Sequence, residues 1–292
     1  MAKIEEYRRK GGKVLDLRGR AVEDAGGELA KLHPPDFATG NPAIGFVHRK
    51  FDFGDVYFVA NTNNRTVKLT TTKRGLWIDL FDQARSSLSL TELRPYESRV
   101  LIAGGGTVQG FGDESYQVPT IELSNWSSRF VDLGFTANIN PPRSWTDDER
   151  TLFYSGTTIY ETTVPITRDP GARRALSFGE GTPVEPERRP NGMRALLESP
   201  VREAAQVYIN GQFAGSVWHP PYEVDVSKFL RVGENQIRIV VANTAINALA
   251  GQSLPDYKLL NLRYTERFTP QDMKDLKPLP SGILGPVKLV SR

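Results

Sequence analysis

The chain has 292 residues, 37 Lys and Arg against 34 Asp and Glu, and no cysteine. That length accommodates two ordinary domains, each able to bury its own core, and 39% hydrophobic with 24% charged residues excludes a disordered chain. A formal net charge of +3, spread without runs or a basic patch between aromatics, argues against nucleic acid as a partner. Without cysteine, disulfides and thiolate metal sites are excluded, and the redox compartment stays open.

The start, MAKIEEYRRKGGK, is charged where a signal peptide needs an apolar stretch, and no apolar run is long enough to span a membrane. Ala2 to Lys10 places Ile4 and Tyr7 at i, i+3 in a charged background, and Gly11-Gly12 reads as a helix stop. Lys13 to Leu17 then reads as a short strand. A helix this short must dock on something. Two readings stand: a helix packed on the β-structure that follows, or residues 1–18 as the closing half-unit of an upstream α/β domain. Residues 18–43, with Gly26-Gly27, Pro34-Pro35 and Asn41-Pro42, read as a loop-rich connection.

Residues 19–103 read as a small antiparallel sandwich. Its strands are Ala43–Lys50, Asp55–Asn61, Thr66–Thr72, Leu76–Leu80, Ser87–Leu93 and Ser98–Ala103, evenly spaced and separated by turn residues. His48 alternates with Phe46, as a half-buried strand residue would, and Glu97 sits in a turn where it can bond backbone. Residues 104–119 are Gly-rich. They lack the strand before and helix after that a phosphate loop needs, so they read as a linker.

Residues 120–292 carry the clearest pattern. Trp126 and Phe130 alternate within Thr120–Leu133, Pro141 to Glu149 is an aromatic-plus-acid loop, and Tyr154–Thr163 is a Thr- and Tyr-rich strand. Asn210-Gly211 joins Val207–Ile209 to Gln212–Trp218 through a turn needing positive φ at both positions. Pro220-Pro221 ends that ladder. Tyr222–Val226 is again extended, Ser227 is placed to cap the turn Lys228–Leu230, and Gln236–Ala242 sets Ile237, Ile239 and Val241 on one face. The ending LPSGILGPVKLV reads as a turn and a final strand. The fold class expected is all-β: two sandwiches with a short N-terminal helix.

The runs SWTDDERTLFYSGTTIYETTVPI, VYINGQFAGSVWHPPYEVDVSKFLRVGENQIRIVVANTAIN and LPSGILGPVKL resemble the galactose-binding-like jelly roll of large glycoside hydrolases. The order of strand, Asn-Gly, strand, proline-aromatic corner, Asp, turn and strand is similar to the sugar-binding domain of family 2. Together with LRPYESRVLI and IEEYRRKGGKVL, the whole chain resembles the C-terminal portion of family 106 α-L-rhamnosidases. That resemblance implies a catalytic barrel upstream, so it carries no catalytic residue onto this chain. It implies a module that packs on that barrel and contacts carbohydrate, with Asp225 capping the turn after its strand. It also implies a bacterial periplasmic or secreted setting if the parent enzyme has one.

Two function classes follow: a non-catalytic carbohydrate-binding and interdomain module, or a stand-alone glycosidase with its pocket between the sandwiches. The second needs two facing carboxylates, which a sequence cannot show to converge. His33, His48 and His219 lie on distant loops, so neither a His-based metal site nor any other cofactor is expected. Sugars offer apolar C–H faces ringed by hydroxyls, which call for an aromatic platform beside planar polar groups. The candidates of those types are Trp218, His219, Tyr222, Asn243, Asn247, Arg263 and Glu266. Trp218 admits a core reading as well, and Asn243 can instead satisfy its own turn. The expected partners are carbohydrate and either the upstream catalytic domain or a second copy at the surface that domain would cover.

Overall fold

The computed structural model describes residues 2–16, 18, 22–32, 34–80, 85–86, 90–104, 119–167, 173–187, 195–254, 256–265 and 275–291. Strands dominate, and two apolar cores form, one on either side of the Gly-rich stretch. The linker expected over 104–119 falls almost wholly outside the described residues. No described helix is long and apolar enough to cross a membrane.

The first core lies under an antiparallel sheet ordered Ile44–Phe51, Gly54–Asn61, Ser98–Ala103, Leu76–Ile78 and Arg85–Ser86. Strand alternation turns Ile44, Tyr57, Val59, Trp77 and Leu101 inward, where Phe37, Leu69 and Leu93 meet them. Two expected strands shrink. Thr66–Thr72 keeps only Val67–Lys68, paired with Glu92–Leu93, because Thr70 to Lys73 bond to loop groups instead of a ladder. The start of the expected Ser87–Leu93 strand lies outside the described residues.

The N-terminal helix spans Ala2–Arg9 and stops at Gly11, which has φ +84°. Lys13 to Asp16 form no strand, which corrects the expectation; the Lys13 ammonium instead reaches the Leu32 carbonyl at 2.5 Å. That carbonyl ends a second helix, Val22–Leu32, in the stretch expected to be loop. Gly26-Gly27 sits inside it, although each glycine costs about 1 kcal/mol of helix propensity.

The second core is closed between two antiparallel sheets. The larger is ordered Phe135–Asn138, Ser127–Phe130, Thr157–Ile166, Gly233–Ala242, Ala204–Ile209 and Gln212–Val217; the smaller is ordered Glu223–Asp225, Arg174–Ser177, Lys288–Ser291 and Ile121–Glu122. Ile237, Ile239 and Val241 all point inward, as their alternation requires. The Asn210-Gly211 turn has φ +51° and +81°, the positive pair expected. Asn210 also donates to the Phe229 carbonyl at 3.0 Å and to Asn235 at 2.9 Å. Asn235 in turn bonds Arg231 and Gly233, so its buried amide is satisfied. Trp145, from the aromatic-plus-acid loop, is buried and donates to the Tyr160 hydroxyl at 2.6 Å. Burial pushes the Tyr160 phenol up to about 12, against the opposing effect of the Trp145 bond. The final segment passes so close to Trp145 that a Cβ on Gly282 would lie 2.2 Å from the indole nitrogen.

The short turn is Ser227–Phe229, so Ser227 is its first residue and not its cap. Val226 is the N-cap and makes no side-chain bond, and Asp225, just before it, accepts through Oδ1 from the Ser227 N–H at 2.9 Å and from the Ser227 hydroxyl at 2.7 Å. The Ser227 side chain is occupied between Asp225 and the Arg174 backbone and is not free to cap. Burial works to raise the Asp225 pKa, but the Ser227 bonds and the Arg173 guanidinium at 2.8 Å outweigh it and hold it below the ordinary 3.8. A depressed folded-state pKa adds stability above the unfolded value and loses it as pH falls through the folded one. Asp225→Asn is therefore expected to lower the melting temperature at pH 7 by more than at pH 3. Equal losses at both pH values, followed by circular dichroism, would show that the carboxylate charge is not what stabilises this turn.

Candidate functional site

The two cores meet along a polar seam. Asn64, in the turn between Gly54–Asn61 and Val67–Lys68, donates to the Val184 and Leu196 carbonyls at 2.9 and 2.6 Å. Arg65 pairs with Glu185 at 2.5 Å, and the Thr66 hydroxyl donates to Glu180 at 3.0 Å.

At the centre of the seam runs a chain of alternating charges. Asp79 pairs with Arg99 at 2.5 Å, Arg99 with Glu97, Glu97 with Arg94 at 3.4 Å, and Arg94 with Glu223 of the second core at 2.6 Å. The side chains of Asp79 and Glu97 are only 3% and 5% exposed. Glu97 also accepts from the Arg94 N–H at 2.6 Å, so the backbone bond expected of it exists alongside two ion pairs. Burial opposes the Arg94 charge, but Glu223 and Glu97 outweigh that and raise its pKa above the ordinary guanidinium value. Each buried charge has opposite charges on its flanks, the condition under which buried ions are tolerated.

The last link of this chain opens into a pocket of about 150 Å³ lined from both cores. Arg94 and Pro95 come from the first; Ser177, Gly179, Glu180, Pro220, Pro221, Tyr222 and Glu223 come from the second. The proline-aromatic corner that ends the Gln212–Val217 strand thus forms one wall. Apolar surface from the prolines and Tyr222 faces two carboxylates and one guanidinium.

The seven residues named as sugar contacts divide. Trp218 is 66% exposed, stands edge-on to His219 at 4.5 Å and belongs to no core, which removes its core reading. His219, next to it, has Nδ1 2.8 Å from the Pro220 carbonyl. Tyr222 lines the pocket but is itself buried in the second core. These three sit on one corner.

Asn243 and Asn247 lie elsewhere and are occupied by protein. Asn243 accepts from the Gly156 N–H and donates to the Tyr154 carbonyl and the Ser281 hydroxyl, at 2.9–3.0 Å. Asn247, fully buried, grips both the N–H and the carbonyl of Leu279 and donates to the same Ser281 hydroxyl. Their amides hold the returning C-terminal segment in place; Asn243 bonds distant segments, not its own turn as the alternative had it. Arg263 stands exposed on the short helix Lys258–Tyr264, with its guanidinium over the Tyr264 ring. Glu266 lies outside the described residues, as does His33.

Sequence reasoning did not assign Arg94, Pro95 and Glu180 to this site. LRPYESRV marked a turn but gave no sign of its partner in the other core, and only the fold brings Glu223 to it. Of the remaining acids, Asp148 is a half-buried turn residue whose pKa is held at about 2 by hydrogen bonds from Arg150. His48 is half-buried, as its alternation implied, stacked on Tyr57 with its two nitrogens 2.7 and 2.8 Å from Asp36 and Asp55. No group of three or more metal-ligating side chains gathers among the described residues.

The outer face of the first sheet is unusually apolar. One row across four strands reads Val47, Phe58, Val100 and Ile78, and the next reads Arg49, Val56, Ile102 and Leu76. Val47, Phe51, Phe53 and Phe58 are exposed, and the two end phenylalanines stack at 5.1 Å.

This fold is shared with a solved rhamnosidase. A rhamnosidase from Novosphingobium sp. PP1Y superposes on 94% of the chain with a TM-score of 0.63 and 21% identity, and the match takes up 26% of that enzyme. At that identity the likeness is one of fold. A protein of Formosa agariphila, provisionally named a β-glucuronidase, is 26% identical over 270 residues, covering 78% of this chain and 22% of its own length. A β-D-glucuronidase of Dictyoglomus thermophilum matches 61% of the chain with 22% identity and a TM-score of 0.38, over 29% of its length. The chain thus spans about a quarter of each of these relatives. No protein-family model matches it.

Proposed function

We propose that this chain is a non-catalytic, carbohydrate-binding and interdomain module of a rhamnosidase-like glycoside hydrolase, divided as 1–18, 19–103, 104–119 and 120–292. The observation that carries the reading is the pocket between the cores, with its apolar proline and tyrosine wall facing polar groups. Glycoside hydrolysis needs a carboxylic acid able to give up its proton and a second carboxylate. Glu223 is instead committed to Arg94 within the charge chain, an arrangement suited to holding ligand and joining cores.

The interdomain half of the proposal rests on the outer sheet face, whose two rows are apolar apart from Arg49 at one end. Contiguous apolar surface of this kind marks an interaction site. Its occupant is another domain of a longer enzyme, or a second copy when none is present.

The test is a titration of the chain with methyl glycosides beside a thermal melt. Trp218→Ala, at an exposed corner next to the pocket wall, is expected to weaken sugar binding by about 1–3 kcal/mol, the range for stacking on an aromatic platform. Stability should change as little as for other surface substitutions, about 0.5 kcal/mol or less, with a correspondingly small shift in melting temperature. Unchanged affinity would remove Trp218 from the site. The stand-alone glycosidase is favoured by one observation, that Glu180 and Glu223 line the same pocket. Turnover of aryl rhamnosides, galactosides or glucuronides that is lost in Glu223→Gln would install it in place of the module.

A further inference from the structure

We propose that the pocket between the cores takes a single neutral, hydroxyl-bearing ring and turns away sugars that carry a carboxylate. The inference rests on the carbohydrate-binding reading above and names the ligand class of that site.

Size sets the first limit. A volume near 150 Å³ is well below the roughly 300–1,000 Å³ of clefts that enclose drug-sized ligands. An apolar cavity of about the same volume holds one six-membered ring. One sugar residue fits; a chain of them does not, except with its other residues outside.

Charge sets the second. The lining holds two carboxylates, Glu180 and Glu223, and one guanidinium, Arg94. Ionised carboxylates only accept hydrogen bonds, so they suit ligand hydroxyls, which donate. The guanidinium is already shared between Glu223 at 2.6 Å and Glu97 at 3.4 Å and has little charge left to offer an anion. A uronate carboxylate in this space would be a further negative charge beside Glu180 and Glu223, and like charges repel. Pro95, Pro220, Pro221 and Tyr222 supply the surface against which the C–H face of a ring packs.

This choice is opposite to what the names of the two glucuronidase relatives imply for their own substrates. It also makes binding a bridge: a ring in the pocket touches Arg94 and Pro95 from one core and the proline corner from the other.

Calorimetric titration of the full chain with methyl α-L-rhamnoside, methyl β-D-galactoside and methyl β-D-glucuronide separates the possibilities. The expected result is that at least one neutral glycoside binds and that the glucuronide is weaker by about tenfold or more, equivalent to 1.4 kcal/mol. Glu180→Gln, at an exposed position that keeps an acceptor for Thr66, should shrink that ratio. Glucuronide binding as tight as the neutral sugars, or a ratio that Glu180→Gln leaves unchanged, would overturn the charge-exclusion inference while leaving carbohydrate binding in place. If none of the three glycosides binds, both the carbohydrate reading and this inference fall.

Discussion

Replacing Arg99 by Met is expected to destabilise the chain by about 3–5 kcal/mol, the loss seen when one member of a buried ion pair is removed and the others remain. Arg99 is the cation between Asp79 and Glu97, and its own side chain is 15% exposed. Met fills the stem's volume but leaves two carboxylates facing each other's neighbourhood without the guanidinium between them. In a domain whose total stability is of order 5–15 kcal/mol, that is a large fraction. It corresponds to a fall in melting temperature of roughly 10 °C. Arg99→Lys should fall between the two, because an ammonium keeps the charge but cannot present a planar fork to two carboxylates. Arg49→Met, on the outer face of the same sheet, is the control. A loss at Arg99 no larger than at Arg49 would show that the charge chain is electrostatically neutral in its net effect.

Trp145→Ala should be comparably damaging, at about 3–5 kcal/mol. The ring is buried among Phe130, Tyr154 and the Tyr160 hydroxyl, and the final segment at Gly282 lies against it. Removing it leaves a cavity and deprives Tyr160 of its donor. Tyr160→Phe isolates the polar share: the Trp145 N–H would stay buried without that acceptor, at a cost of about 1–3 kcal/mol. Chemical denaturation with an unchanged slope would assign both effects to stability. A Trp145→Ala loss near that of a surface residue would mean that neighbouring side chains collapse into the space.

The sequence made the second core largely legible and the seam almost not at all. Asn210-Gly211 and the alternation of Ile237, Ile239 and Val241 are local signals, each tied to one backbone geometry, and the structure has both. The helix Val22–Leu32 was hidden because Gly26-Gly27 is read as a break, while the Lys13 contact at its end lies outside the helix's own sequence. Asn243 and Asn247 had the right chemistry for a sugar site, but which groups an amide meets depends on where the chain returns, and here Leu279 and Ser281 return to them. The pocket needed Arg94 and Glu223 side by side, a juxtaposition between residues on separate cores that no local pattern encodes.

The charge chain also bears on where this protein can be divided. By sequence, the Gly-rich stretch over 104–119 is the natural place to cut, recombine or graft, since it falls between the two cores. Counting signs along the chain gives a different answer. Asp79, Arg99, Glu97 and Arg94 balance one another and all precede that stretch, whereas Glu223 follows it and draws on Arg94 across the seam. A shuffled protein that receives the second half alone inherits Glu223 without its Arg94 link and an open half of a pocket. The portable unit is therefore the pair of cores with their seam, and a chimera that respects it should exchange both together.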